Sequence, residues 1–106
     1  MATDWAADVR KYAPKATDEH IKGIVRHCGI ALQKADSSLV SCSDKAETDR
    51  VKNGFMKKKL ALTDDDATLQ ASIDAVCAQM KASKRKNRVT FYYLLAERHG
   101  KLDLFG

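Results

Sequence analysis

The sequence has a single proline and five glycines in 106 residues. So few chain breakers argue against many short strands joined by tight turns, and for long helices with short connections. No stretch approaches 18 consecutive apolar residues, so no segment reads as a membrane-spanning helix. The first residues, Met1-Ala2-Thr3-Asp4-Trp5, hold no basic region followed by an apolar run, and no secretory signal is expected. Lipidation motifs are also missing. Cysteine is confined to Cys28, Cys42 and Cys77, an odd number at wide spacing with no CxxC pair. Free thiols in a reducing cytoplasm are the simplest reading, with a disulfide between two of them left open.

What is present is a globular composition, 44% apolar and 31% charged. A chain of this length buries roughly two-thirds of its unfolded surface, enough for one core without staples. One helical domain over residues 1–106 is expected, with 101–106 as an apolar C-terminal tail. The net charge of +5 is unevenly placed. Lysines and arginines balance acids in residues 1–50, so residues 51–106 carry the whole excess. A basic half of this kind suits an anionic partner, a nucleic acid or an acidic protein.

Hydrophobic periodicity predicts five helices. Thr3 caps the first, Asp4 to about Tyr12, with Trp5, Val9 and Tyr12 on one side and Pro14 ending it. The second starts at Thr17, with Asp18 and Glu19 where the helix dipole favours anions. Ile21, Ile24, Val25, Cys28 and Leu32 share one arc of it; Gly23 and Ile30 lie opposite, with His27 near them. Two such faces imply packing on two sides, and the helix reads as central. Leu39 and Val40 are expected to plug the core. Ser43 or Asp44 caps a third helix reaching about Leu60, anchored by Val51 and Phe55, with Gly54 marking close packing or a weak spot. Thr63 caps the fourth, with Asp64, Asp65 and Asp66 in its first turn. Leu69, Ile73, Val76, Cys77 and Met80 form its stripe, the strongest periodicity in the chain. The fifth runs from Asn87 or Arg88 to His99, with Phe91, Leu94 and Leu95 in the core and Gly100 as its left-handed cap. The fold class is all-α, a single compact bundle of about five helices packed irregularly or orthogonally.

Several stretches are distinctive: IVRHCGIAL (24–32), SLVSCSD (38–44), GFMKKKL (54–60) and RVTFYYLLAE (88–97). With the DWAADVRKYAP start, they resemble a family of small uncharacterised bacterial proteins known only as a domain of unknown function (family 2853 of that series). The resemblance covers nearly the whole chain. It implies a bacterial protein of about this length and brings no activity, cofactor or catalytic residue.

The residues themselves support no catalytic or cofactor site. His27 and Cys28 are adjacent and point about 100° apart on a helix, whereas zinc needs three or four converging ligands. Nothing resembles a phosphate-cradling glycine loop. The three acids at 64–66 lack the layout of a calcium loop and are explained by capping. A helix-turn-helix is rejected at Gly29, because Ile30-Ala31-Leu32-Gln33 continue the helical pattern where a turn is needed. A thiol enzyme would rest on Cys42, the most exposed-looking cysteine, with His27 or His99 as base, but no triad logic is visible. No enzyme, metal or cofactor is expected.

Two leads remain. Lys57, Lys58 and Lys59 end the third helix, and Lys84, Arg85, Lys86 and Arg88 follow the fourth. If the two clusters converge they form an anion-facing patch that binds phosphates by releasing counterions. Phe91, Tyr92 and Tyr93 lie beside the second cluster as stacking faces. The expected function is a small non-enzymatic binding module that contacts nucleic acid, in the cytoplasm. The alternative is a protein–protein adaptor using Leu102, Leu104 and Phe105. That tail, Lys101-Leu102-Asp103-Leu104-Phe105, resembles the short peptide that docks bacterial replication and repair proteins on the DNA sliding clamp, with Lys101 where that peptide normally has glutamine. The competing expectation is that the tail folds back onto the bundle.

Overall fold

A computed structural model of the chain describes residues 5–29, 40, 42, 44–81 and 87–105, with side chains from Ala7 onward. The expected Thr3 cap, the core places of Trp5, Leu32 and Leu39, and the cations Lys84, Arg85 and Lys86 lie outside the described residues. The elements are α1 (Trp5–Tyr12), α2 (Asp18–Cys28), α3 (Lys45–Arg50), a π-helix (Val51–Lys59), α4 (Asp66–Gln79), α5 (Arg88–Arg98) and a short 3-10 turn (Leu102–Phe105). Among the described residues there is no strand, and no helix is long and apolar enough to cross a membrane.

The hub of the bundle is α5, which packs against α1, α2, α4, the π-helix and the 3-10 turn. Every residue from Arg88 to Ala96 is buried. A helix apolar on all sides has no amphipathic stripe, because it has no solvent face. The central role expected of α2 therefore belongs first to α5. The reading of α2 as two-faced holds: it packs on α1 and α5 with one side and on the 3-10 turn with the other.

Local chemistry sets the helix ends. Thr17 caps α2, accepting from the His20 amide. Asp44 caps α3 through the Ala46 amide at 3.0 Å. For α4 the cap is Asp65, which accepts from the Thr68 amide at 2.8 Å, not Thr63. The shorter carboxylate loop wins because Asp65 sits one residue before the first helical position. Gly29, at φ 48° and ψ −117°, closes α2. Only glycine adopts that region without strain, so α2 ends at Cys28 instead of continuing through Gly29, and the continuity used against a helix-turn-helix does not hold at that point. Gly100, at φ 67°, ends α5, and the Lys101 amide bonds back to the Ala96 carbonyl at 2.8 Å.

The third helix changes its winding. From Val51 the hydrogen bonds become i→i+5, and the Leu60 amide donates to the Phe55 carbonyl at 2.9 Å. At about 100° per residue, an α-helix would put Leu60 on the opposite side from Val51. The slower π winding brings Val51, Phe55, Met56 and Leu60 onto one buried face. It also turns Lys57 and Lys58 outward and leaves Lys59 half-buried. Gly54 meets nothing within 4 Å of an added Cβ, so it is the weak spot and not a close contact.

Most of the expected core is buried: Val9, Ile21, Ile24, Cys28, Val40, Val51, Phe55, Leu60, Leu69, Ile73, Val76, Met80, Phe91, Leu94 and Leu95. Val25 and Cys77 are half-buried and pack against it. Cys77 is bonded to Cys42 in a disulfide with Cα atoms 6.0 Å apart, fastening the chain before α3 to α4. This corrects the free-thiol expectation, and removes the redox argument for a cytoplasmic setting. Cys28 is the free cysteine, buried in the core.

Candidate functional site

Of the two expected lysine-arginine clusters, Lys57, Lys58, Lys59 and Arg88 are described residues, and Lys84, Arg85 and Lys86 are not. Lys57 donates to Asp66 at 2.6 Å, which places the end of the π-helix beside the start of α4. Lys81 follows the far end of that helix, whose 14 residues span about 21 Å. Arg88 is not part of an exposed surface. It is buried, donates to the Tyr92 hydroxyl at 2.9 Å and forms an ion pair with Glu47. The aromatic residues beside it are also withdrawn: Phe91, Tyr92 and Tyr93 are all buried, and Tyr92 stacks on Phe55 with centroids 3.9 Å apart. They fasten the core and offer no face to a base.

A different set of cations converges. The C-terminal tail folds back, and its 3-10 turn lies against α2. Phe105 is buried, Leu102 half-buried and Leu104 exposed, so two of the three tail residues no longer project as a free docking peptide. Phe105 packs among His27, Phe55 and the ammonium of Lys59, which lies 5.3 Å from its ring centroid. Between the tail, α2 and the end of the π-helix is an open groove of about 210 Å³, lined by Gly23, Arg26, His27, Lys59, Leu104 and Phe105. Gly23 matters because the tail backbone crosses directly over it: an added Cβ would lie 2.1 Å from the Phe105 carbonyl oxygen.

The groove is electrostatically one-sided. Its lining has three basic side chains and no acid. Among the described residues the ion pairs engage Arg10, Arg50, Lys52, Lys57 and Arg88; Arg26, Lys58 and Lys59 are among the cations that enter none of them. Burial of His27 among aromatic rings, helped by the charge of Lys59, holds its pKa below the ordinary 6.5. At neutral pH the imidazole is uncharged, with one N–H to donate and one nitrogen to accept. The arrangement suits an anion: two fixed charges and a neutral donor around a pocket with an apolar rim.

Sequence reasoning missed Arg26, and it read His27 only as a possible base for Cys42 and not as part of a groove. The signal was present, because Gly23, Arg26 and His27 fall at i, i+3 and i+4 on the face of α2 opposite the core stripe.

Among the described residues, the cysteines are bonded or buried. Cys42 is in the disulfide, so it is not the thiol of an enzyme in this state. Burial pushes the Cys28 thiol up to about 12. Ser72 and His99 form a pair not anticipated from sequence, with Oγ and Nε2 3.0 Å apart. The Ser72 hydroxyl also reaches the Thr68 carbonyl, to which it can donate at 3.3 Å. Among the described residues no group of three His, Cys, Asp or Glu side chains could hold a metal ion.

The family model described as Protein of unknown function (DUF2853) matches residues 4–103. No curated protein matches the chain.

Proposed function

Because the chain belongs to the DUF2853 family, whose description assigns no activity, we propose from geometry alone that it is a small non-enzymatic binding domain for nucleic acid. The surface is built from the cations Arg26 on α2 and Lys58 and Lys59 on the π-helix, with the neutral His27 of α2 beside them. The observation that carries this reading is the convergence of Arg26, His27 and Lys59, from two separate elements, on one groove with no acid in its lining. A cationic surface gains affinity for phosphates by releasing condensed counterions, and no base-specific contact is required. The tail contributes as a wall of the site. The alternative, a protein adaptor working through Leu102, Leu104 and Phe105, needs Phe105 to leave its aromatic pocket and is less well supported.

Fluorescence anisotropy with labelled single- and double-stranded DNA and RNA, over about 50–200 mM salt, tests the proposal. Binding should fall steeply with salt. It should weaken strongly in the Arg26→Gln/Lys58→Gln/Lys59→Gln variant, and less in Lys57→Gln, whose lysine is already paired with Asp66. Binding unchanged by the triple variant, or no binding at low salt, would overturn it. In the second case an acidic protein becomes the partner to seek.

A further inference from the structure

The groove has a shape and charge that a continuous strand does not need. One side is closed by the 3-10 turn, the base is Gly23 and Phe105, and the volume of about 210 Å³ holds one phosphoryl group with part of what it is attached to. Arg26 and Lys59 supply two fixed positive charges without acidic partners among the described residues. An internal phosphodiester has one negative charge, whereas a phosphomonoester carries about 1.5 to 2 at neutral pH and three strong acceptor oxygens. Three side chains able to donate line the groove: the Arg26 guanidinium, the Lys59 ammonium and the His27 imidazole. Leu104, the one exposed large apolar side chain among the described residues, stands at the rim, where the sugar or base next to the phosphate would lie.

We infer that the groove between α2 and the docked C-terminal turn is a phosphomonoester site. Arg26 and Lys59 neutralise the dianion, His27 donates to it, and Leu104 covers the adjoining organic group. This deepens the nucleic-acid reading and rests on it: the terminal phosphate of a strand would be seated here, and Lys58 would meet the next phosphate. A free nucleotide presents the same chemistry.

The test uses the full chain and a short single-stranded oligonucleotide labelled at its 3′ end, carrying either a 5′-phosphate or a 5′-hydroxyl. The phosphorylated strand should bind at least about tenfold more tightly, as expected for charge-assisted contacts to a dianion. The preference should vanish in Arg26→Gln/Lys59→Gln, with circular dichroism confirming the fold. Competition by a nucleoside monophosphate, and none by the nucleoside, would show that the site also takes free nucleotides. Competition by neither, with the strand preference intact, would restrict it to strand ends. Equal binding of the two strands would overturn the phosphomonoester site and leave the nucleic-acid function standing. If neither strand binds but the nucleoside monophosphate does, and the double variant abolishes it, the site stands and the nucleic-acid function falls.

Discussion

Gly23 and Phe105 share a space that no β-carbon can enter: the Phe105 carbonyl oxygen would lie 2.1 Å from a side chain built on Gly23, and the Phe105 Cβ 2.7 Å. The obstruction is backbone, which cannot swing aside as a flexible side chain could. The tail is therefore seated by an absence on α2, and the groove depends on that seat.

Gly23→Ala should expel the tail. Losing the burial of Phe105 costs about 1.5–3 kcal/mol, and alanine returns about 1 kcal/mol of helix propensity. The net effect is a modest loss of stability with a local signature. Hydrogen exchange at residues 102–105 should accelerate greatly while α4 and α5 stay protected. Protection at 102–105 equal to wild type would refute the seating.

Glu47 and Arg88 link α3 to α5 at a partly buried ion pair that Tyr92 completes. Glu47→Ala leaves the guanidinium without its charge partner and should cost about 3 kcal/mol, the lower end for a broken buried pair. Glu47→Ala/Arg88→Met should recover much of that loss. Urea denaturation of the two variants reads the difference.

The Cys42–Cys77 disulfide closes a separation of 35 residues. Chain entropy alone gives about 3–4 kcal/mol for a loop of this size. Reduction, or Cys77→Ser, should lower the denaturation midpoint accordingly. Alkylation of the native, unreduced protein should label neither Cys42 nor Cys77, and Cys28 only on unfolding.

Acid should weaken the region around the tail. Burial among Phe55, Tyr92 and Phe105 lowers the pKa of His27, and the Lys59 charge adds to the effect. Of its neighbours on other elements, Tyr92 is neutral here, so Lys59 supplies the nearby charge. A depressed histidine disfavours protonation in the fold, so stability is intact above the ordinary 6.5 and falls as pH drops from there through the lowered value. His27→Gln should flatten this dependence. Thermal melts at several pH values, compared between wild type and variant, measure it.

The segment after the π-helix offers a gain. Ala61 sits at φ 53°, a left-handed conformation that costs a non-glycine residue about 1–2 kcal/mol. Ala61→Gly relieves this, less about 0.4–1 kcal/mol of unfolded-chain entropy. A net stabilisation of between zero and about 1.6 kcal/mol by urea denaturation is expected.

The bundle was legible because Ile21, Ile24, Leu69, Ile73 and Val76 repeat at helical spacing and caps such as Thr17 and Asp44 are local. The hub role of α5 was harder to see, since a helix buried on every side has no periodicity to find. The π-helix was illegible: Val51 and Leu60 share a face only under a winding that an α-helical wheel does not represent. The site itself was half visible. Lysines 57–59 stood out as a run, but Arg26 and His27 gain meaning only when the tail docks on Gly23, a contact between segments about eighty residues apart in the chain. Arg88 misled because a charged residue in a basic stretch reads as surface, whereas its partner Glu47 lies in another helix.

Chemical-shift mapping locates the anion-binding surface residue by residue. Isotope-labelled protein would be titrated with a 5′-phosphorylated single-stranded oligonucleotide. Shifts should concentrate at Gly23, Arg26, His27, Lys58, Lys59 and Leu104, with little change along α4. Shifts centred on Lys81 and the segment after it, with the groove silent, would contradict that location.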